Sequence, residues 1–162
     1  MNEKVSLEKL LDLAGDHARA VMIGLQHELL PMWSIIDAKG ELLVRATPWQ
    51  NEHEKHLAEI FIRAEIAKRN AVAYSLVIEA WEAWQPLGWD PQKEPLTERN
   101  RPSKRVDRRE VVIALAVDKE RTVWRKWWTR RDWNDQVVAL ELAEELPGEK
   151  QSWMADLFKA TK

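Results

Sequence analysis

Two groups of residues have the types and spacing to do chemistry. The first is Trp124-Arg125-Lys126-Trp127-Trp128-Thr129-Arg130-Arg131, where flat indole surface is interleaved with fixed positive charge. That mixture suits stacking on, and charge pairing with, an acidic partner. On a strand, Trp124, Lys126, Trp128 and Arg130 share one face and Arg125, Trp127 and Thr129 the other, so neither face is cleanly apolar. Bases stacked on the indoles, or a protein surface anchored by Trp and Arg, both fit such a strand. The second group is Glu79 and Trp81 at the end of one apolar run, with Arg108, Arg109 and Glu110 at the start of the next and Arg101, Lys104 and Arg105 just upstream. Strand alternation predicts that Glu79, Trp81 and Glu110 share a sheet face. The functional reading is a recognition pocket in which an acid, an arginine and an indole fix a ligand. The same residues also read as a structural Glu–Arg network, or as the acid pair of a small hydrolase or nuclease.

Charge is distributed unevenly around these groups. From Arg99 to Arg131 twelve Lys or Arg stand against four acids, a local balance of +8 in a chain whose formal total is −2. The other 129 residues therefore hold −10. A slightly acidic whole does not fit a protein that binds nucleic acid through net charge, so the basic stretch must be segregated in space to act as a binding face. Zero cysteines exclude disulfides, thiolate catalysis and Cys-ligated zinc. His53 and His56 lie near a helix start, but the run His53-Glu54-Lys55-His56 is one residue short of the His-Glu-x-x-His zinc motif and has no evident third ligand. No Gly-rich phosphate loop or Gly-x-Ser-x-Gly elbow is present, and no cofactor or metal is expected.

The elements that must position these residues follow from periodicity. Ser6 is a natural N-cap, and Leu7, Leu10, Leu11, Ala14, Ala18, Val21, Met22 and Leu25 recur at helical spacing, predicting an amphipathic helix over 6–28. Runs at 32–36 and 41–47 around Asp37-Ala38-Lys39-Gly40 predict a hairpin, and Asn51 with Glu54 opens a second helix to about Arg69. Strands are expected from Ala71, Arg108, Arg121 and Gln136, with a long Pro-rich loop over 85–106 and a helical tail over 149–162. The sum is a single α+β domain over 1–162: one mostly antiparallel sheet of about six strands, two long helices packed on one face, and a short C-terminal helix. No apolar run approaches the ~20 residues needed to span a bilayer, and the N-terminal residues lack signal-peptide grammar, so no membrane contact and a cytoplasmic location are expected.

The segments Ser75 to Trp84 and Arg101 to Val112 resemble a group of small uncharacterised bacterial and phage proteins. Their pattern is a Glu-Ala-Trp strand end, then Arg-Pro-Ser, Asp-Arg-Arg-Glu and an apolar strand; here it falls on Glu79, Ala80, Trp81, Arg101, Pro102, Ser103, Asp107, Arg108, Arg109 and Glu110. Where that group has Glu after the Ser, this chain has Lys104. The resemblance implies a phage or prophage accessory protein and supplies no activity. The leading expectation is a non-enzymatic binding protein whose basic, Trp-bearing face and loop engage an acidic macromolecule, nucleic acid or protein. The alternatives are a protein-interaction module, such as a phage assembly component or host-factor inhibitor, that forms a homo-oligomer, and a hydrolase using Glu79 and Glu110.

Overall fold

A computed structural model describes residues 6–83, 108–147 and 153–158. The first helix, α1 (Leu7–Arg19), is capped by Ser6, whose hydroxyl accepts from the Lys9 N–H at 3.3 Å, with Glu8 in the first turn and His17 and Arg19 in the last, matching the helix dipole. It does not run on to residue 28. Beyond Arg19 the chain widens into a π-helical turn, Ala20–Gly24, and Gln26 adopts a left-handed φ of 53°, which ends helical continuation. The hairpin β1 (Met32–Ile36) and β2 (Leu42–Ala46) follows, turned by Gly40 at φ 85°.

The second helix, α2 (Glu52–Lys68), is opened by Asn51, which accepts from the Glu54 N–H at 2.8 Å. It is closed by Asn70 at φ 50°, with the Ala71 N–H reaching back to the Ile66 carbonyl. Three long strands and one shorter one complete the sheet: β3 (Ala73–Ala83), β4 (Arg108–Asp118), β5 (Thr122–Arg131) and β6 (Val137–Pro147). All neighbours are antiparallel, in the order β2-β1-β3-β4-β5-β6.

The two helices lie on opposite faces of this sheet, not on one. On the first face Leu7, Leu10, Leu11, Ala14 and Ala18 of α1 pack on Ala73, Val77, Val112, Ala114, Ala116 and Trp127. On the second, Ile62 and Ile66 of α2 pack with Trp33, Ile35, Tyr74, Leu76, Leu115 and Val117. The physical reason is in β4, whose run Val111-Val112-Ile113-Ala114-Leu115-Ala116-Val117 is apolar at every position and so needs cover on both sides. Val112, Ala114 and Ala116, on the face that two helices on one side would have left open, are buried beneath α1.

The C-terminal segment also departs from expectation. Where it is described it forms a 3₁₀ turn, Trp153–Ala155, and not an amphipathic helix. It is fastened to the second face by the Tyr74 hydroxyl, which donates to the Met154 carbonyl at 2.6 Å and accepts from the Leu157 N–H, and by Arg63, which donates to the Asp156 carbonyl. Among the described residues no helix is long and apolar enough to cross a membrane.

Contact between α1 and the sheet is closest at Gly15. A Cβ placed there would lie 2.9 Å from the Trp127 ring, which is buried and cannot swing aside. Alanine normally favours a helix over glycine by about 1 kcal/mol, but here overpacking wins. Gly15→Ala is therefore expected to destabilise the protein by about 1–3 kcal/mol in urea unfolding. Gly24→Ala, where a Cβ meets nothing within 4 Å, should be neutral or slightly stabilising. Equal behaviour of the two variants would contradict this packing.

Candidate functional site

A cavity of about 250 Å³ opens where the sheet changes width. β1 begins at Met32, opposite Val77, whereas β3 runs on to Ala83 with only β4 beside it among the described residues. The extended linker after α1 closes one side of the resulting step, so Met22, Glu28 and Leu29 face Glu79, Trp81, Glu110 and Thr129 across the opening. The register puts Trp81 directly opposite Glu110 and Glu79 opposite Val112. Glu79, Trp81 and Glu110 consequently share one face, as their spacing predicts.

The carboxylates have different environments. Glu110 is gripped by Arg131 through two parallel bonds, Nε to Oε2 at 2.6 Å and Nη2 to Oε1 at 3.1 Å, and Arg131 also donates to the Asp135 carbonyl. Such a fork fixes the plane of both groups. Glu79 has no such partner among the described residues; its Oε1 accepts a long 3.4 Å bond from the Leu29 N–H. Burial pushes the Glu79 carboxyl above its ordinary value, and the charges of Glu28 and Glu110 add to this, against the Leu29 N–H and Arg131. The Thr129 hydroxyl is buried and has no hydrogen-bond partner among the described residues. Trp81 forms the lip of the cavity and is 41% exposed.

The basic, Trp-bearing strand is placed differently from its linear appearance. Trp127 is a core residue beneath α1, and its ring is closed to a stacking partner. Trp124 is half-buried against the second-face cluster, while Trp128 lies at the surface with the Arg109 guanidinium 4.6 Å from its ring centre. Each Lys or Arg of β5 meets a carboxylate: Arg125 with Asp12 at 2.6 Å and Glu145 at 3.2 Å, Lys126 with Glu144, Arg130 with Glu141, Arg131 with Glu110. Arg125 is only 11% exposed. The positive run on this strand is thus largely neutralised by α1, β4 and β6. Arg101, Lys104 and Arg105, with the rest of the 85–106 loop, lie outside the described residues, as does the side chain of Arg108.

Two contributors to the cavity carry no sequence signal. Glu28 falls within the span read as helix, and its approach to Glu79 depends on the unforeseen π turn and linker. Thr129 reaches the opening through the β4–β5 register, in which Val111 pairs with Trp128. His53 and His56 sit on α2, away from the cavity lining, and His56 neighbours Glu59 at 3.8 Å. Comparison of the chain with protein families, curated proteins and solved structures gives no match.

The environment of Glu79 makes a signed prediction. Its folded-state pKa is raised above the ordinary 4.5, so the folded protein holds that proton more tightly than the unfolded chain. Ionisation therefore costs stability; the cost is absent below pH 4.5 and grows as pH rises through the folded value. Glu79→Gln removes the ionisation and keeps an acceptor for Leu29. Relative to this variant, the parent protein should lose stability as pH is raised from below 4.5 to about 8 in urea titrations. A difference that does not vary with pH would contradict the assignment.

Proposed function

We propose that the chain is a non-enzymatic binding protein that takes a basic side chain of its partner, a guanidinium or ammonium group, into the cleft beside Glu79. One observation carries this reading: a half-buried carboxylate whose ionised form is opposed by burial and by Glu28 and Glu110, in a cavity open to solvent. A cation entering there supplies the missing counter-charge, and the Arg131 guanidinium is already committed to Glu110. Trp81 at the lip adds an indole beside such a cation, and the buried Thr129 hydroxyl offers an acceptor. The acid, indole and arginine act as a recognition set, with the arginine orienting the acid and not touching the ligand.

The test is titration of the isotope-labelled protein with short peptides carrying a central Arg, a central Lys or a neutral residue of similar length. Saturable amide shifts at Glu79, Trp81, Glu110 and Thr129 are expected with the charged peptides. Trp81→Ala should weaken binding by roughly threefold to tenfold. Equal shifts with the neutral peptide, or none at these residues, would overturn the reading.

A second reading, engagement of an acidic macromolecule by the basic stretch, is favoured by one contact, the exposed Arg109 guanidinium stacked on Trp128. It fits the phage accessory role that the resemblance implies. It predicts nucleic-acid binding that weakens steeply with salt and is abolished by charge reversal at Arg101, Arg105 and Arg108. Binding that is insensitive to salt would exclude it.

A further inference from the structure

The β2 edge of the sheet lies apart from the cleft. Among the described residues β2 is paired with β1 alone. The alternation of its peptide groups is set at both ends, because the Asp37 N–H donates to the Glu41 carbonyl and the Thr47 N–H to the Pro31 carbonyl, each at 3.0 Å. Glu41, Leu43, Arg45 and Thr47 thus turn their peptide groups to β1, and Leu42, Val44 and Ala46 turn theirs outward. In agreement, Arg45 bends its own guanidinium back onto the outward Val44 carbonyl at 3.2 Å. The side chains of Leu42 and Val44 are 49% and 45% exposed, on the face where α1 covers β3, β4 and β5.

The opposite edge is defended. β6 carries two register irregularities against β5, outward Glu141 and Glu144, and a clamp in which the Gln26 amide both donates to the Val137 carbonyl and accepts from the Val137 N–H. β2 keeps a regular register, has no proline and has one charged residue.

We propose that β2 pairs with β2 of a second copy of this chain, antiparallel about a two-fold axis at Leu43, giving one sheet continuous through both copies. Charge selects the register. Glu41-Leu42-Leu43-Val44-Arg45 reads acid, three apolar residues, base, so a reversed copy lays Glu41 opposite Arg45 twice and Leu42 opposite Val44 twice. The Leu42–Val44 pairs fall at outward peptides and form ladder hydrogen bonds. The Glu41–Arg45 pairs fall at the narrow, non-hydrogen-bonded positions, where side chains are closest. Moving the axis to Val44 sets Glu41 opposite Thr47 and loses both direct ion pairs.

Five residues of edge are too few for the roughly 1,000 Å² that a specific interface buries. The two-fold axis brings both α2 helices to the same side of the joined sheet. There each exposes Leu57 and Phe61 along a groove shared with Ala46 and Pro48 of its own chain. The groove adjoins the edge at Ala46, where β2 ends.

Sedimentation of the full chain from micromolar to near-millimolar concentration tests the pairing. The parent protein is expected to form dimers. Glu41→Arg and Arg45→Glu each place like charges together at both pair positions and should weaken self-association about tenfold or more, with circular dichroism confirming that each variant folds. An equal mixture of the two variants should recover a dimer, because every pair across that interface is again opposite in sign. A parent protein that stays monomeric, single variants that associate as well as the parent, or a mixture that stays monomeric would each overturn the proposal.

Discussion

The constraint on which the rest depends is that β3 and β4 are apolar on both sides. A strand of that kind is stable only when both of its faces are taken out of water. The two coverings are built from different materials. Beneath α1 the strands present Ala73, Ser75, Ala114 and Ala116, small residues that let a helix backbone approach, and Gly15 uses that closeness to seat the Trp127 ring. Beneath α2 they present Tyr74, Leu76, Leu115 and Val117 with Trp33, bulky groups that hold the second helix further off and leave room for the C-terminal turn under the Tyr74 hydroxyl. One face is filled by proximity and the other by volume.

The cleft is a consequence of where those coverings stop. α1 has covered the sheet as far as Val77 and Val112 when its π turn throws the chain outward. The strands continue for several residues beyond that point, and the next positions on the same face are Glu79, Trp81 and Glu110. Polar residues there are tolerated because the cover is partial, and Glu79 is costly to ionise because the cover is not absent. The Arg131 fork resolves that conflict for Glu110 and leaves it standing for Glu79. That leaves Glu79 half-buried at an opening, with its ionisation still opposed.

Much of the architecture was legible from local chemistry. The Asn51 and Ser6 caps, the Gly40 turn and the strand runs all act over a few residues, and their elements begin within a residue or two of where periodicity puts them. The shared face of Glu79, Trp81 and Glu110 was legible too, since period-two alternation survives any pairing that keeps register. What was hidden depends on contacts far apart in the chain. The unbroken apolar run of β4 looked like one buried face and one open one, and only the presence of two separate helices, each with one apolar stripe, resolves it into two buried faces. Helical structure stops before residue 28 where Gln26, just past the π turn, takes a left-handed backbone, its side chain clamped to Val137, 111 residues away. Nothing near Gln26 announces that partner.

The same distinction explains the basic strand. Along the chain, Arg125, Lys126, Arg130 and Arg131 form a run of positive charge unrelieved by acids. Across the sheet, antiparallel pairing brings Glu145 opposite Arg125 and Glu144 opposite Lys126, while α1 lowers Asp12 onto Arg125 from above. Cross-strand pairs of this kind add little individually, but they set register and remove the long-range field that an isolated run would project. Of the tryptophans interleaved with them, the buried Trp127 uses its area to hold α1, which leaves Trp128 with Arg109 as the aromatic–cation pair of this strand at the surface. On this strand, therefore, positive charge is paired locally across the sheet and against α1, and projects little field of its own.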